Sequence, residues 1–83
     1  MKKILIEITS PAAGLTYDMF VPDTMQIGEL SMLAGEVFRK QSNGMYNRSN
    51  TLLLCTADDG QVLEPSETIK SKRILHGTRL ILF

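Results

Sequence analysis

The chain has 83 residues, enough for one hydrophobic core and too few for two, so the expectation is a single domain spanning residues 1–83. Nine Lys and Arg balance nine Asp and Glu, which excludes the strong basic excess of a general nucleic-acid or membrane-surface protein. Cys55 is the only cysteine, so an internal disulfide and a four-thiolate zinc site are excluded, and a reducing compartment is the simplest setting.

The first element is a strand. Ile4, Ile6 and Ile8 fall on one side of residues 3–9, with Lys3, Leu5, Glu7 and Thr9 on the other, and β-branched residues at period two predict a β-strand. The short run Ile4-Leu5-Ile6 after Met1-Lys2-Lys3 is broken by Glu7, so it does not read as a signal peptide. Ser10 to Gly14 carries turn chemistry. Alternation then resumes from Leu15 to Val21, with Leu15, Tyr17, Met19 and Val21 on one side, and the two runs predict a hairpin. Pro22 ends the second strand, and Asp23 or Thr24 is positioned to cap a following helix.

From Ile27 the period changes. Ile27, Leu30, Leu33, Ala34, Val37 and Phe38 recur at steps of three and four, which predicts an amphipathic helix of about four turns. Gly28 and Gly35 should weaken it by about 1 kcal/mol each relative to alanine. Residues 42–50 read as a polar loop. Thr51 to Thr56 reads as a buried strand, Asp58-Asp59-Gly60 as a turn, and Gln61-Val62-Leu63 as a short strand. A winding connection from Pro65 to Ile74 leads through His76-Gly77-Thr78 into a last strand, Arg79 to Phe83. No run approaches the ~18 apolar residues that a membrane-spanning helix requires.

Hairpin, helix, strand, short strand, coil and final strand make an α+β chain of β-grasp type. Its mixed sheet should have four or five strands, ordered 2-1-5-3, with one helix packed across it. The expected core is Ile4, Ile6, Ile8, Tyr17, Met19, the helix stripe, Leu63, Ile69, Ile74, Leu80 and Leu82.

Catalytic chemistry finds little support. His76 reads as an exposed turn residue and Cys55 as a buried, inert thiol with no histidine near it in sequence. Asp58-Asp59 before Gly60 is ordinary turn composition. No glycine loop for phosphate and no metal-ligand spacing occurs. The expectation is a protein that is not an enzyme and has no cofactor, metal or small-molecule substrate.

Strand parity supplies a stronger signal. If Ile4, Ile6 and Ile8 face the helix, then Leu5, Phe20, Ile81 and Phe83 point out of the other sheet face. With neighbouring strands ordered 2-1-5-3, these side chains would form one exposed apolar strip. It would be extended by Leu53, or by Leu52 and Leu54, according to register. Contiguous exposed apolar surface marks interfaces, so Leu5, Phe20, Leu53, Ile81 and Phe83 are the candidate protein-binding residues. The outer helix face around Gly28, Met32 and Gly35 is a weaker candidate. Lys70, Lys72, Arg73 and Arg79 form a basic group, a weak nucleic-acid signal because no aromatic residues are interleaved.

The order of elements resembles ubiquitin along nearly the whole chain, with Val21-Pro22-Asp23-Thr24 similar to the start of the ubiquitin helix and Thr68 to Ile74 similar to the lead into its final strand. Thr16-Tyr17-Asp18-Met19 with Val21-Pro22, Ile27-x-x-Leu30, and Ile74, Gly77, Leu80 and Leu82 resemble the YukD/EsaB family of ubiquitin-like accessory proteins of type VII secretion systems in Gram-positive bacteria. The resemblance implies a cytoplasmic, non-catalytic adaptor whose partners are other secretion components, with membrane contact only through a partner. It also implies that the outer sheet face, the main docking surface of ubiquitin, is the working surface. The last residue is Phe83, with no Gly-Gly tail after the final strand, so binding rather than covalent transfer is expected. The alternatives are a ubiquitin-like modifier or sulfur carrier whose tail is missing, and a small RNA-binding β-grasp module using the basic group.

Overall fold

The computed structural model describes residues 2–41 and 53–83. Strand β1 (Lys3–Ser10) and strand β2 (Leu15–Pro22) form an antiparallel hairpin, with Ile8 opposite Tyr17 and Leu5 opposite Phe20. Helix α1 (Ile27–Gln41) follows, then β3 (Leu54–Thr56) and β4 (Thr78–Leu82). Strand β4 lies parallel to β1 and antiparallel to β3, giving the order β2-β1-β4-β3. This is the ubiquitin-like β-grasp: one helix against a mixed four-stranded sheet. The expected short strand at 61–63 is reduced to a single bridge between Cys55 and Val62, so the final strand is the fourth and not the fifth. Of the strand expected over 51–56, Thr51 and Leu52 lie outside the described residues, as does the loop expected over 42–50.

The hairpin turn closes through Ser10. Its buried hydroxyl oxygen accepts the Ala13 N–H at 3.2 Å, and its carbonyl accepts the Gly14 N–H at 2.8 Å. Gly14 sits at φ +67, a left-handed angle that glycine adopts without a Cβ clash.

The core lies between sheet and helix. Ile4, Ile6, Ile8, Val21, Leu54, Leu80 and Leu82 meet Ile27, Leu30, Ala34 and Phe38 from the helix, and Leu63, Ile69 and Ile74 close the side. Ser31 lies within the helix's buried face, where its hydroxyl donates to the Ile27 carbonyl at 3.0 Å and so leaves no orphan polar group. Two expected core residues are corrected. Tyr17 is 38% exposed because β2 is an edge strand, whose inner face lies at the margin of the helix. Leu33 is 43% exposed, since at 3.6 residues per turn it points about 120° away from Ile27. Val37 and Met19 are only half-buried.

The start of the helix is held differently from the expectation. Neither Asp23 nor Thr24 caps it. The Ile27 N–H donates to the Glu67 carbonyl at 2.8 Å and the Gly28 N–H to the Pro65 carbonyl at 3.0 Å. Two of the N–H groups that a helix leaves open at its N-terminus are thus satisfied by backbone from the long connection. Further bonds, Ile69 N–H to Met25 O at 3.0 Å and Lys70 N–H to Asp23 O at 2.8 Å, tie residues 65–70 along this turn. Gly28 permits that close approach, because a Cβ there would stand 3.3 Å from both the Pro65 carbonyl oxygen and its Cβ.

Candidate functional site

The sheet face away from the helix carries the predicted binding residues. Register arranges it in cross-strand rows. Phe20 stands opposite Leu5. In the next row Asp18 is opposite Glu7, and Glu7 opposite Arg79. Beyond it Thr16, Thr9, Ile81 and Cys55 line up across all four strands. Last, Leu53 and Phe83 exchange backbone bonds of 2.8 and 3.3 Å.

The predicted parity therefore holds, and so does the outward placement of all five side chains. Phe20 is 65% exposed, Phe83 57% and Leu53 41%, while Leu5 and Ile81 are half-buried. The register of β3 also resolves which leucine faces out: Leu54 is buried opposite Leu82, and Leu53 is exposed.

One uninterrupted apolar strip does not form. The row of Asp18, Glu7 and Arg79 crosses the middle of the face, with the Arg79 guanidinium 3.4 Å from the Glu7 carboxylate. The apolar residues fall into two ends. One holds Leu5 and Phe20, and the other holds Leu53, Ile81 and Phe83 beside their buried row partner Cys55. An ion pair this exposed contributes little stability, about 0–1 kcal/mol. Its consequence is for the chemistry of the face, which presents a polar row between two apolar ends.

His76 joins the first end, a contact absent from the sequence reading. Its Nδ1 accepts the Leu5 N–H at 3.1 Å, and its ring lies 6.3 Å from that of Phe20, tilted by 37°. Gly77, at φ +87, donates its N–H to the Leu5 carbonyl at 2.7 Å. The turn into β4 thus satisfies both backbone polar groups of Leu5. Nothing in the sequence linked residues 71 positions apart; only the parallel pairing of β1 and β4 does.

The basic group is dispersed. Arg79 is on the outer sheet face against Glu7, and Lys72 lies 3.7 Å from Glu67. Lys70 and Arg73 instead line a cavity elsewhere, with Lys2. The four do not make one surface, which weakens the RNA-binding alternative. Cys55 is buried, as read from the sequence. Asp59 is a turn carboxylate whose oxygen accepts from the Thr56 hydroxyl and, at 3.3 Å, from the Gln61 N–H. The Thr56 hydroxyl, then the Gln61 N–H, hold its pKa below the usual carboxylate range. Among the described residues no group of His, Cys, Asp and Glu is placed to hold a metal ion, and no helix is long and apolar enough to cross a membrane.

No protein-family model matches the chain, and no curated protein matches it in sequence. Solved structures do match it. The EccD5 ubiquitin-like domain from Mycobacterium xenopi superposes with a TM-score of 0.79 at 17% identity, covering 100% of this chain and 94% of that one. A chain of the MycP5-free ESX-5 inner membrane complex gives 0.82 at 11% identity, covering 100% of this chain and 21% of that one. Caldiarchaeum subterraneum ubiquitin gives 0.76 at 18% identity, covering 98% and 91%. The fold is ubiquitin-like. At such identities the likeness carries the fold, and function must be argued from the surface.

Proposed function

We propose that this protein is a non-catalytic, cytoplasmic adaptor of a type VII secretion system, of the YukD/EsaB kind, which binds another component of the machine through its outer sheet face. The observation that carries the reading is the pair of exposed apolar ends on one side of the sheet, Leu5 with Phe20 and Leu53 with Ile81 and Phe83. A solvated sheet face needs no such residues, and exposed aromatic side chains in a patch are what protein interfaces use. The likeness to the EccD5 domain and to a chain of an ESX-5 inner membrane complex supports placing that partner in secretion machinery. The charged row between the ends supplies register to the contact more than affinity.

The test replaces Leu5, Phe20 and Ile81 together by Asp. Far-UV circular dichroism should stay unchanged, because all three side chains point away from the core. Capture of secretion components and export of the system's substrates should both be lost. Two double variants, Leu5→Asp/Phe20→Asp and Leu53→Asp/Ile81→Asp, then assign the loss to one end or both. A folded triple variant that still captures its partner and supports export would remove the reading.

A further inference from the structure

Next to the Leu5–Phe20 end, with His76 common to both, a cavity of about 330 Å³ opens between the start of β1, the turn before α1 and the connection into β4. It is lined by Lys2, Ile4, Asp23, Lys70, Arg73, Ile74, Leu75 and His76. Lys2, Lys70 and Arg73 have no carboxylate within ion-pair distance among the described residues, although Lys72 and Arg79 nearby in sequence both do. Asp23 is the single acidic residue in the lining, so the cavity holds two positive charges in excess.

The backbone adds an independent observation. Arg73 stands at φ +55, the only non-glycine residue in the left-handed region among the described residues. The Ile74 N–H donates to Ile69 O at 3.1 Å and the Arg73 N–H to Lys70 O at 3.0 Å. Together with the buried side chains of Ile69 and Ile74, this is a Schellman closure with Arg73 at its left-handed position, where glycine is preferred. An arginine there is strained, and strain at a residue lining a cavity points to use of its side chain.

We propose that this cavity binds a phosphate monoester. Such a group carries about −1.5 to −2 charges near neutral pH, which matches the excess, whereas a carboxylate would neutralise half of it. Arg73 offers a planar fork suited to two phosphate oxygens, and Lys2 and Lys70 offer point charges. His76 accepts the Leu5 N–H at Nδ1, so in the neutral ring Nε2 carries the proton and is a donor. Ile4, Ile74 and Leu75 supply apolar wall for the body that bears the phosphate. The volume, at the lower end for ligand pockets, exceeds what inorganic phosphate alone fills. The proposal does not depend on the docking reading, although the cavity shares His76 with the Leu5–Phe20 end.

Phenyl phosphate is the probe, followed by amide NMR signals of the intact protein. Saturable shifts at Asp23, Lys70 and Arg73 to His76 are expected, with inorganic phosphate weaker at the same signals and the singly charged benzenesulfonate weaker by about tenfold. Arg73→Gly and Lys70→Gln should each weaken phenyl phosphate binding by about tenfold. Arg73→Gly removes the strain, so it should melt a few degrees above the wild type while binding less. A purely structural arginine would show the first change without the second. Flotation with phosphatidic acid vesicles, against phosphatidylcholine alone, separates the sources of the phosphate. Binding that needs Arg73 and Lys70 names a lipid headgroup, and no flotation names a soluble phosphomonoester. Failure of phenyl phosphate to saturate at millimolar concentration, equal binding of benzenesulfonate, or full affinity in both variants would overturn the proposal.

Discussion

Gly28→Ala sets helix propensity directly against tertiary packing. Propensity alone predicts stabilisation, because alanine is better than glycine in a helix by about 1 kcal/mol. The geometry predicts the reverse. The new Cβ would stand 3.3 Å from the Pro65 carbonyl oxygen and 3.3 Å from the Pro65 Cβ, closer than such atoms normally approach. That carbonyl cannot retreat freely, since it accepts the Gly28 N–H at 3.0 Å, and the next bond, Ile27 N–H to Glu67 O at 2.8 Å, anchors the same turn. Overpacking of this kind costs about 1–3 kcal/mol, and stretching the hydrogen bond removes part of a further ~1 kcal/mol. The net expectation is a loss of about 1 kcal/mol, which lowers the melting temperature by about 4–8 °C in a domain of this size. Urea unfolding followed by far-UV circular dichroism gives the value, with Met32→Ala on the exposed side of the same helix as a control that should move by less than about 0.5 kcal/mol. A Gly28→Ala protein as stable as the wild type, or more so, would refute the claim that the 65–67 backbone caps this helix.

Four further outcomes follow from the core packing, the Glu7–Arg79 pair and the Asp59 turn. Phe38→Ala, which empties the largest fully buried side chain among the described residues, should cost about 3–5 kcal/mol by urea unfolding, whereas Ser31→Ala should change stability by less than about 1 kcal/mol because the Ile27 carbonyl keeps its helical partner. Glu7→Gln or Arg79→Gln should leave the urea midpoint within about 0.5 kcal/mol of wild type, since that pair is exposed. Asp59 has a depressed pKa in the folded state, so its contribution is present above its unfolded value of about 3.9 and is lost as pH falls through the lower folded value. Asp59→Asn should therefore flatten the fall of the urea midpoint below about pH 4 and leave it unchanged in its pH dependence above about pH 6.

Much of this architecture is written in short-range pattern. β1 is legible because three of its inner residues, Ile4, Ile6 and Ile8, are isoleucines buried in the core, so period two is plain up to the turn. β2 is less so: an edge strand covers only part of its inner face, and Tyr17 follows the alternation without being buried. Three-residue spacing puts Leu33 in the helix stripe, but the angular drift of 3.6 residues per turn carries it out of the core. The outward face of Leu5, Phe20, Ile81 and Phe83 was legible from alternation, but alternation fixes a face and not a register. Only the β1–β4 pairing places Arg79 beside Glu7 and so divides the apolar residues into two ends. Opposite charges at the same parity were the one available hint. The helix cap by Pro65 and Glu67, the bond from Leu5 to His76, and the gathering of Lys2, Asp23 and Arg73 around one cavity join segments far apart in sequence. No local pattern encodes them.

The central claim is that the side of the sheet turned away from the helix meets a protein partner. Amide NMR mapping of the labelled protein with a partner isolated by pull-down tests this most directly. The account predicts perturbations concentrated at Leu5, Glu7, Phe20, Leu53, Arg79, Ile81 and Phe83, with Glu29, Met32 and Leu33 on the outer helix face unmoved. Perturbations confined to that helix face, with the sheet signals unchanged, would contradict it.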